Sequence, residues 1–158
     1  MSKTTILILV AFPVYFSVLW CLILWIIALS GGWKKLANRY AMPGNFQGQV
    51  LRFQSARLNW SNYSNILSIG LSERGLYLSP MAIFRPFHPP LFIPWEEIEA
   101  GPFQRALWRG YQLRFRAVPG VTLELFQGTF QHILDFLERY PDRLQVDELE
   151  PGRPRGRF

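Results

Sequence analysis

His88 and His132 are the two imidazoles of this 158-residue chain, and neither has the company that histidine chemistry needs. No carboxylate stands at His-x-x-x-His spacing with either one, and the single cysteine lies far away at Cys21, which excludes a four-ligand zinc site. Glu96, Glu97 and Glu99 are a dense group of carboxylates. On an extended strand Glu97 and Glu99 share a face about 6.6 Å apart while Glu96 points the other way, which is the pattern of a solvated strand face. Neither a G-x-S-x-G elbow nor a glycine-rich phosphate cradle occurs, so no catalytic residue, cofactor site or metal site can be assigned. Five arginines remain. Arg114 and Arg116 fall on the polar face of one strand, Arg105 and Arg109 in the loop before it, and Arg57 near an earlier turn. Gathered by the fold, they would contact a phosphate or an acidic partner; scattered, they only charge the face of a sheet.

The elements that must position these residues begin with an anchor. Ile6 to Leu29 are 24 residues without a charge, about 36 Å as a helix against roughly 30 Å of bilayer hydrocarbon. This predicts a transmembrane helix over residues 6–29, with room for tilt. A cleaved signal peptide is the competing reading, because Lys3 supplies a basic start and Ala28-Leu29-Ser30 small residues before Gly31, but signal h-regions run only about 7–15 residues. Lys34, Lys35 and Arg39 follow the span whereas Lys3 precedes it, so the positive-inside bias places the C-terminal part in the cytoplasm, on a single-pass protein of the plasma or inner membrane. These three cations are juxtamembrane candidates for anionic headgroups. Beyond Arg39 there are 13 arginines, no lysine and all 11 acids. The net charge of +6 is thus concentrated beside the membrane, and no nucleic-acid partner is expected.

Residues 30–47 read as a connector, with an amphipathic turn through Trp33, Leu36, Ala37 and Tyr40 and a break at Pro43-Gly44-Asn45. A β-rich domain over residues 48–140 follows. Its expected parts are a strand in "QVLRFQSARLNW", a turn over Trp60 to Asn65, and a hairpin at Glu73-Arg74-Gly75 with Gly75 at positive φ. Pro86, Pro89 and Pro90 make Phe84 to Pro90 an irregular loop, and "LFIPWEEIEA" recovers extended structure with Pro94 at an edge. The clean alternations "YQLRFRAV" and "VTLELF", joined through Pro119-Gly120, predict an antiparallel hairpin. "GTFQHILDFLERY" predicts a helix with Thr129 as N-cap, stopped by Pro141, and residues 141–158 a mobile tail.

Strands followed by one terminal amphipathic helix, with "GLYL" at Gly75–Leu78 and "IPWEEI" at Ile93–Ile98, resemble bacterial PH-like and GRAM-like domains. "WKKLANRY" and "FQSARLNW" after an apolar span are similar to small membrane-anchored bacterial proteins of uncharacterised family. The resemblance implies a β barrel or sandwich whose terminal helix plugs one open end, a fold that hosts lipid, peptide and protein binding alike. The expectation is therefore a non-catalytic, single-pass, membrane-anchored PH-like domain that contacts a protein, a peptide or the membrane surface, including anionic lipid headgroups. An enzyme or accessory subunit of a membrane enzyme complex is the alternative class, and a domain exported after signal cleavage a third. Phe84, Phe87 and His88, at the tip of the proline-rich loop, are the candidate interaction residues.

Overall fold

The computed structural model of the chain describes residues 2–105, 108–140 and 145–146. The uncharged run is helical. Helix α1 (Lys3–Ser30) is capped by Ser2, whose Oγ accepts from the Thr5 amide at 3.3 Å, and it continues through Pro13, whose carbonyl accepts from the Ser17 hydroxyl at 2.7 Å. Gly31 and Gly32 then turn the chain. Gly32 adopts φ 92°, open to glycine without the Cβ penalty, and a Cβ there would press on Val121 and Asn59. Helix α2 (Trp33–Tyr40) starts at that point.

Seven strands follow in antiparallel pairing: β1 (Gln49–Leu58), β2 (Ser61–Ser72), β3 (Gly75–Pro80), β4 (Leu91–Pro94), β5 (Ile98–Arg105), β6 (Trp108–Phe115) and β7 (Thr122–Phe126). They form one curled sheet, a half-barrel in the order β4-β3-β2-β1-β7-β6-β5. Helix α3 (Gln127–Leu137) leaves β7 directly, and the two-residue β8 (Gln145–Val146) adds in parallel beside β5. The alternation of β1, β6 and β7 is the reason for the sheet's single buried face: Ala56 and Leu58, Leu113 and Phe115, and Leu123 and Leu125 point inward while their neighbours do not.

Two helices close that face. Phe130, Ile133 and Leu137 of α3 are buried, with the Phe130 ring stacked on Tyr111 at 3.9 Å. Trp33, Leu36 and Tyr40 of α2 join the same core, Trp33 at only 1% exposure. The stretch read from sequence as a connector thus supplies core to the sheet.

Several expectations hold in detail. The β6–β7 pair forms through Pro119-Gly120, the two-residue turn Glu73-Arg74 joins β2 to β3, and Pro94 ends an edge strand. Others are corrected. Trp60 to Asn65 is not a turn: the reversal uses only Asn59 and Trp60, and β2 begins at Ser61 because Ala56 pairs with Tyr63 and buries it. Asn59 sits at φ 53°, a conformation asparagine tolerates, and its Oδ1 accepts from the Thr122 amide at 2.9 Å. Gly75 is not among the positive-φ residues; it is required because a Cβ would run into the Ile93 carbonyl oxygen of β4. "LFIPWEEIEA" is two strands on opposite sides of the sheet, separated by a 3₁₀ turn at Trp95–Glu97. Trp95 drops into the core there and donates Nε1–H to the Ser72 carbonyl at 2.8 Å. Thr129 is not the cap of α3. It lies inside the first turn and donates to Gln54 Oε1 at 2.9 Å, while Phe126 takes the cap position. The expected tail, 141–158, lies outside the described residues apart from β8.

If α2 is core, Trp33→Ala in the full chain should cost about 3–5 kcal/mol, as large aromatic truncations do, matching Phe130→Ala in a denaturant titration. A loss under about 0.5 kcal/mol, typical of surface positions, would return residues 33–40 to the status of a linker.

Candidate functional site

The proline-rich stretch is held in place by an aromatic box. Trp33 of α2, Tyr63 of β2 and His88 of the loop meet with ring centroids 5.5 Å (Trp33–Tyr63), 5.4 Å (Trp33–His88) and 6.0 Å (Tyr63–His88) apart. Trp33 donates Nε1–H to the Pro89 carbonyl at 3.0 Å, and His88 Nδ1 lies 3.2 Å from the Pro86 carbonyl, which assigns the proton to Nδ1. His88 is 1% exposed. The expectation of His88 as a surface contact is therefore corrected: it faces inward, where two aromatic walls receive the ring. Burial lowers its pKa from the ordinary histidine value, opposed by the Pro86 carbonyl, and burial raises that of Tyr63. Nε2 of His88 and the hydroxyls of Tyr63 and Ser61 are buried without a hydrogen-bond partner among the described residues. The box thus carries neutral polar atoms and no charge, which suits anchoring a loop better than moving protons.

Phe84 is also drawn inward, against Trp20 of α1 at a centroid separation of 5.5 Å. Phe87 is exposed as expected, at 51%, in a left-handed conformation with φ 65°. Met81 and Ile83 of the same loop are exposed too, and so is Trp60 at the turn between β1 and β2, its indole N–H donating to the Ser30 carbonyl at 2.9 Å. Met81, Ile83 and Phe87 give the loop an apolar outer surface beside Trp20 of α1. The cue in the sequence was the apolar density of "MAIF" inside a proline-rich loop. The box itself left none, because Trp33 and Tyr63 stand 55 and 25 positions from His88.

The arginines are not gathered into one patch. Arg57 and Arg114 lie on the sheet face away from the core, where the register sets Glu124 opposite Arg57 and Glu99 opposite Arg114. Arg116 pairs with Glu99 at 3.0 Å, both half-exposed, a contact worth at most about 1 kcal/mol. Arg109 is exposed in β6 opposite Gln104, with the parity of Tyr111 and Leu113 and so on the other face. The hairpin explains this: Arg105 ends β5 and Arg109 stands in β6, instead of sharing a loop. The side chain of Arg105 lies outside the described residues. Glu97 and Glu99 do not share a strand face either, since Glu97 is in the 3₁₀ turn and accepts from the Tyr40 hydroxyl at 3.2 Å. Burial, together with the Glu97 charge and this bond, raises the Tyr40 pKa. By contrast Lys34, Lys35 and Arg39 stand together on the exposed side of α2, opposite its buried face.

Acidification should expose the cost of the box. Below about pH 6.5 the unfolded chain binds a proton that buried His88 refuses, so stability falls as pH falls, by at most about 1.4 kcal/mol per pH unit. Denaturation midpoints at pH 7.5 and 5.5 should drop further for the natural chain than for His88→Phe, and an equal drop in both would contradict a buried neutral imidazole. The reading of this site rests on geometry, since no family model matches the chain and no curated protein does.

Proposed function

We propose that this chain is a single-pass membrane-anchored domain of PH-like build, which holds a non-catalytic contact surface against the bilayer and toward a partner beyond it. One observation carries the proposal: α1, long and apolar enough to cross a membrane, is also part of the fold. Leu24 and Ala28 on one stripe are buried against the rest of the chain, while the helix from Leu7 to Leu19 displays its large apolar side chains. A 28-residue helix with an 18-residue stretch of mean hydropathy 2.6 is thereby seated on the domain. This also favours a retained anchor over a cleaved leader, because cleavage before Gly31 would strip Leu24 and Ala28 from their packing and remove the carbonyl that Trp60 bonds. A seven-strand curled sheet followed at once by an amphipathic helix supports the PH-like reading.

In this reading Lys34, Lys35 and Arg39 meet anionic headgroups at about 1 kcal/mol each, and the positive-inside bias keeps the domain in the cytoplasm. The sheet-face arginines contribute less, being interleaved with Glu99 and Glu124. A protein or peptide partner has a separate surface, an open groove of about 630 Å³ between Phe46, Arg74, Phe92 and Tyr140 at the far end of β2.

The test is protease digestion of sealed, right-side-out membranes carrying a C-terminal epitope. Full-length protection is expected, with the digested fraction rising in the Lys34→Glu, Lys35→Glu, Arg39→Glu triple variant. An epitope recovered at a mass lacking residues 1–30, or a natural domain fully digested, would defeat the proposal.

A further inference from the structure

The loop 81–90 does more than brush the anchor. Its 3₁₀ turn, Ala82–Phe84, lies beside Trp20, whose indole N–H donates to the Ile83 carbonyl at 3.4 Å and whose ring meets Phe84. Trp20 is ten residues before the end of α1, so the turn stands about 15 Å up the helix from Ser30. That leaves Ile6 to Leu19 as the apolar length clear of the domain, about 21 Å, or about 25 Å counted from Lys3, against roughly 30 Å of hydrocarbon. The uncovered helix is too short to cross alone. For α1 to span, part of the segment that the loop covers must itself lie within the acyl layer, and any tilt deepens the shortfall.

Granting the anchor proposed above, on which this rests, we infer that the 81–87 loop is a second membrane-embedded element, inserted into the acyl chains of the leaflet on the domain's side. Its surface fits that solvent: Ile83 is 60% exposed, with Met81 and Phe87 also outward, an arrangement that is costly in water and favourable in lipid.

Lipid offers polar groups no hydrogen bond, and much of the loop's backbone is paired, while the Ala82, Ile83 and Phe87 amides have no partner among the described residues. Phe84, Arg85 and His88 amides donate to the carbonyls of Met81, Ala82 and Arg85, and the Met81 amide to Ile66. The Ile83, Pro86, Pro89 and Pro90 carbonyls accept from Trp20, His88, Trp33 and the Met42 amide. Pro86, Pro89 and Pro90 carry no N–H to satisfy. The one charge of the loop, exposed Arg85, snorkels back to the phosphates and limits the depth, as long basic side chains do near membrane interfaces.

Spin labels on single cysteines in a Cys21→Ser background, in phosphatidylcholine–phosphatidylglycerol vesicles, decide this. Labels would be placed at Val14, Ile83, Phe87 and, as an aqueous control, Glu138, and compared for collision with oxygen and with a water-soluble nickel chelate. The ratio of oxygen to chelate collisions should be several-fold higher at 83 and 87 than at 138, approaching that at 14. A high ratio at 14 with aqueous values at 83 and 87 would overturn the insertion and leave the anchor standing. An aqueous value at 14 would remove both.

Discussion

Everything in this molecule depends on the seat between the last turns of α1 and the β domain. Leu24 at 3% exposure and Ala28 at 2% are buried there. The following Gly31-Gly32 turn sends Trp33 straight into the sheet's core, so no free hinge separates α1 from the β domain. A flexible linker of a dozen residues would let a tethered domain sample a wide volume. Here the orientation is built in, and on the proposed anchoring it determines which residues would meet the bilayer. Lys34 and Lys35 follow the turn immediately, Trp60 is fixed to Ser30, and the 81–87 loop lies along the helix.

The seat also explains where polar atoms are tolerated. His88, Tyr63 and Ser61 are buried close to the junction with unpartnered atoms, a position that costs stability unless the surrounding packing compensates. Trp33 supplies that compensation: it packs against both rings and ties the loop down through the Pro89 carbonyl. A neutral imidazole suits this site because it satisfies Pro86 with one nitrogen and brings no charge into a low-dielectric pocket.

Much of the architecture was legible in the sequence because it is local. The apolar run, the β6–β7 alternation, the Glu73-Arg74 hairpin and the apolar spacing of α3 each lie within a short window where periodicity speaks directly. What was not legible depends on pairing between distant segments. Trp33 reads as one face of a short amphipathic turn, and nothing nearby says that a sheet will bury it. Tyr63 sits among Ser and Asn that imitate a turn, and only the register with Ala56 makes it a strand residue. Proximity in sequence leaves open whether the arginines form one surface, and only strand parity and cross-strand carboxylates divide them. Bulges add to this: β1 and β2 slip register near Phe53 and Asn65, both at positive φ, which alternation counted along one strand cannot foresee.

A rigid seat has a consequence for how contacts at the two ends relate. β2 runs from Ser61 at the junction to Ser72 at the Glu73-Arg74 turn, a path of about 36 Å at strand rise. The screening length in physiological salt is about 8 Å, so the groove beside Arg74 and Tyr140 lies beyond the reach of headgroup charge unless the strand lies flat on the membrane. The insertion proposed for the loop would oppose that posture, because Ile83 and Phe87 are exposed on a loop that lies along α1. On the proposed reading, lipid contact and partner contact would then use different surfaces, apolar insertion at one end and a groove of mixed lining, Phe46 and Phe92 beside Arg74, at the other. Coupling between them must pass through the sheet's packing, whose β2–β3–β4 ladder joins the groove residue Phe92 to the loop that ends at Pro90.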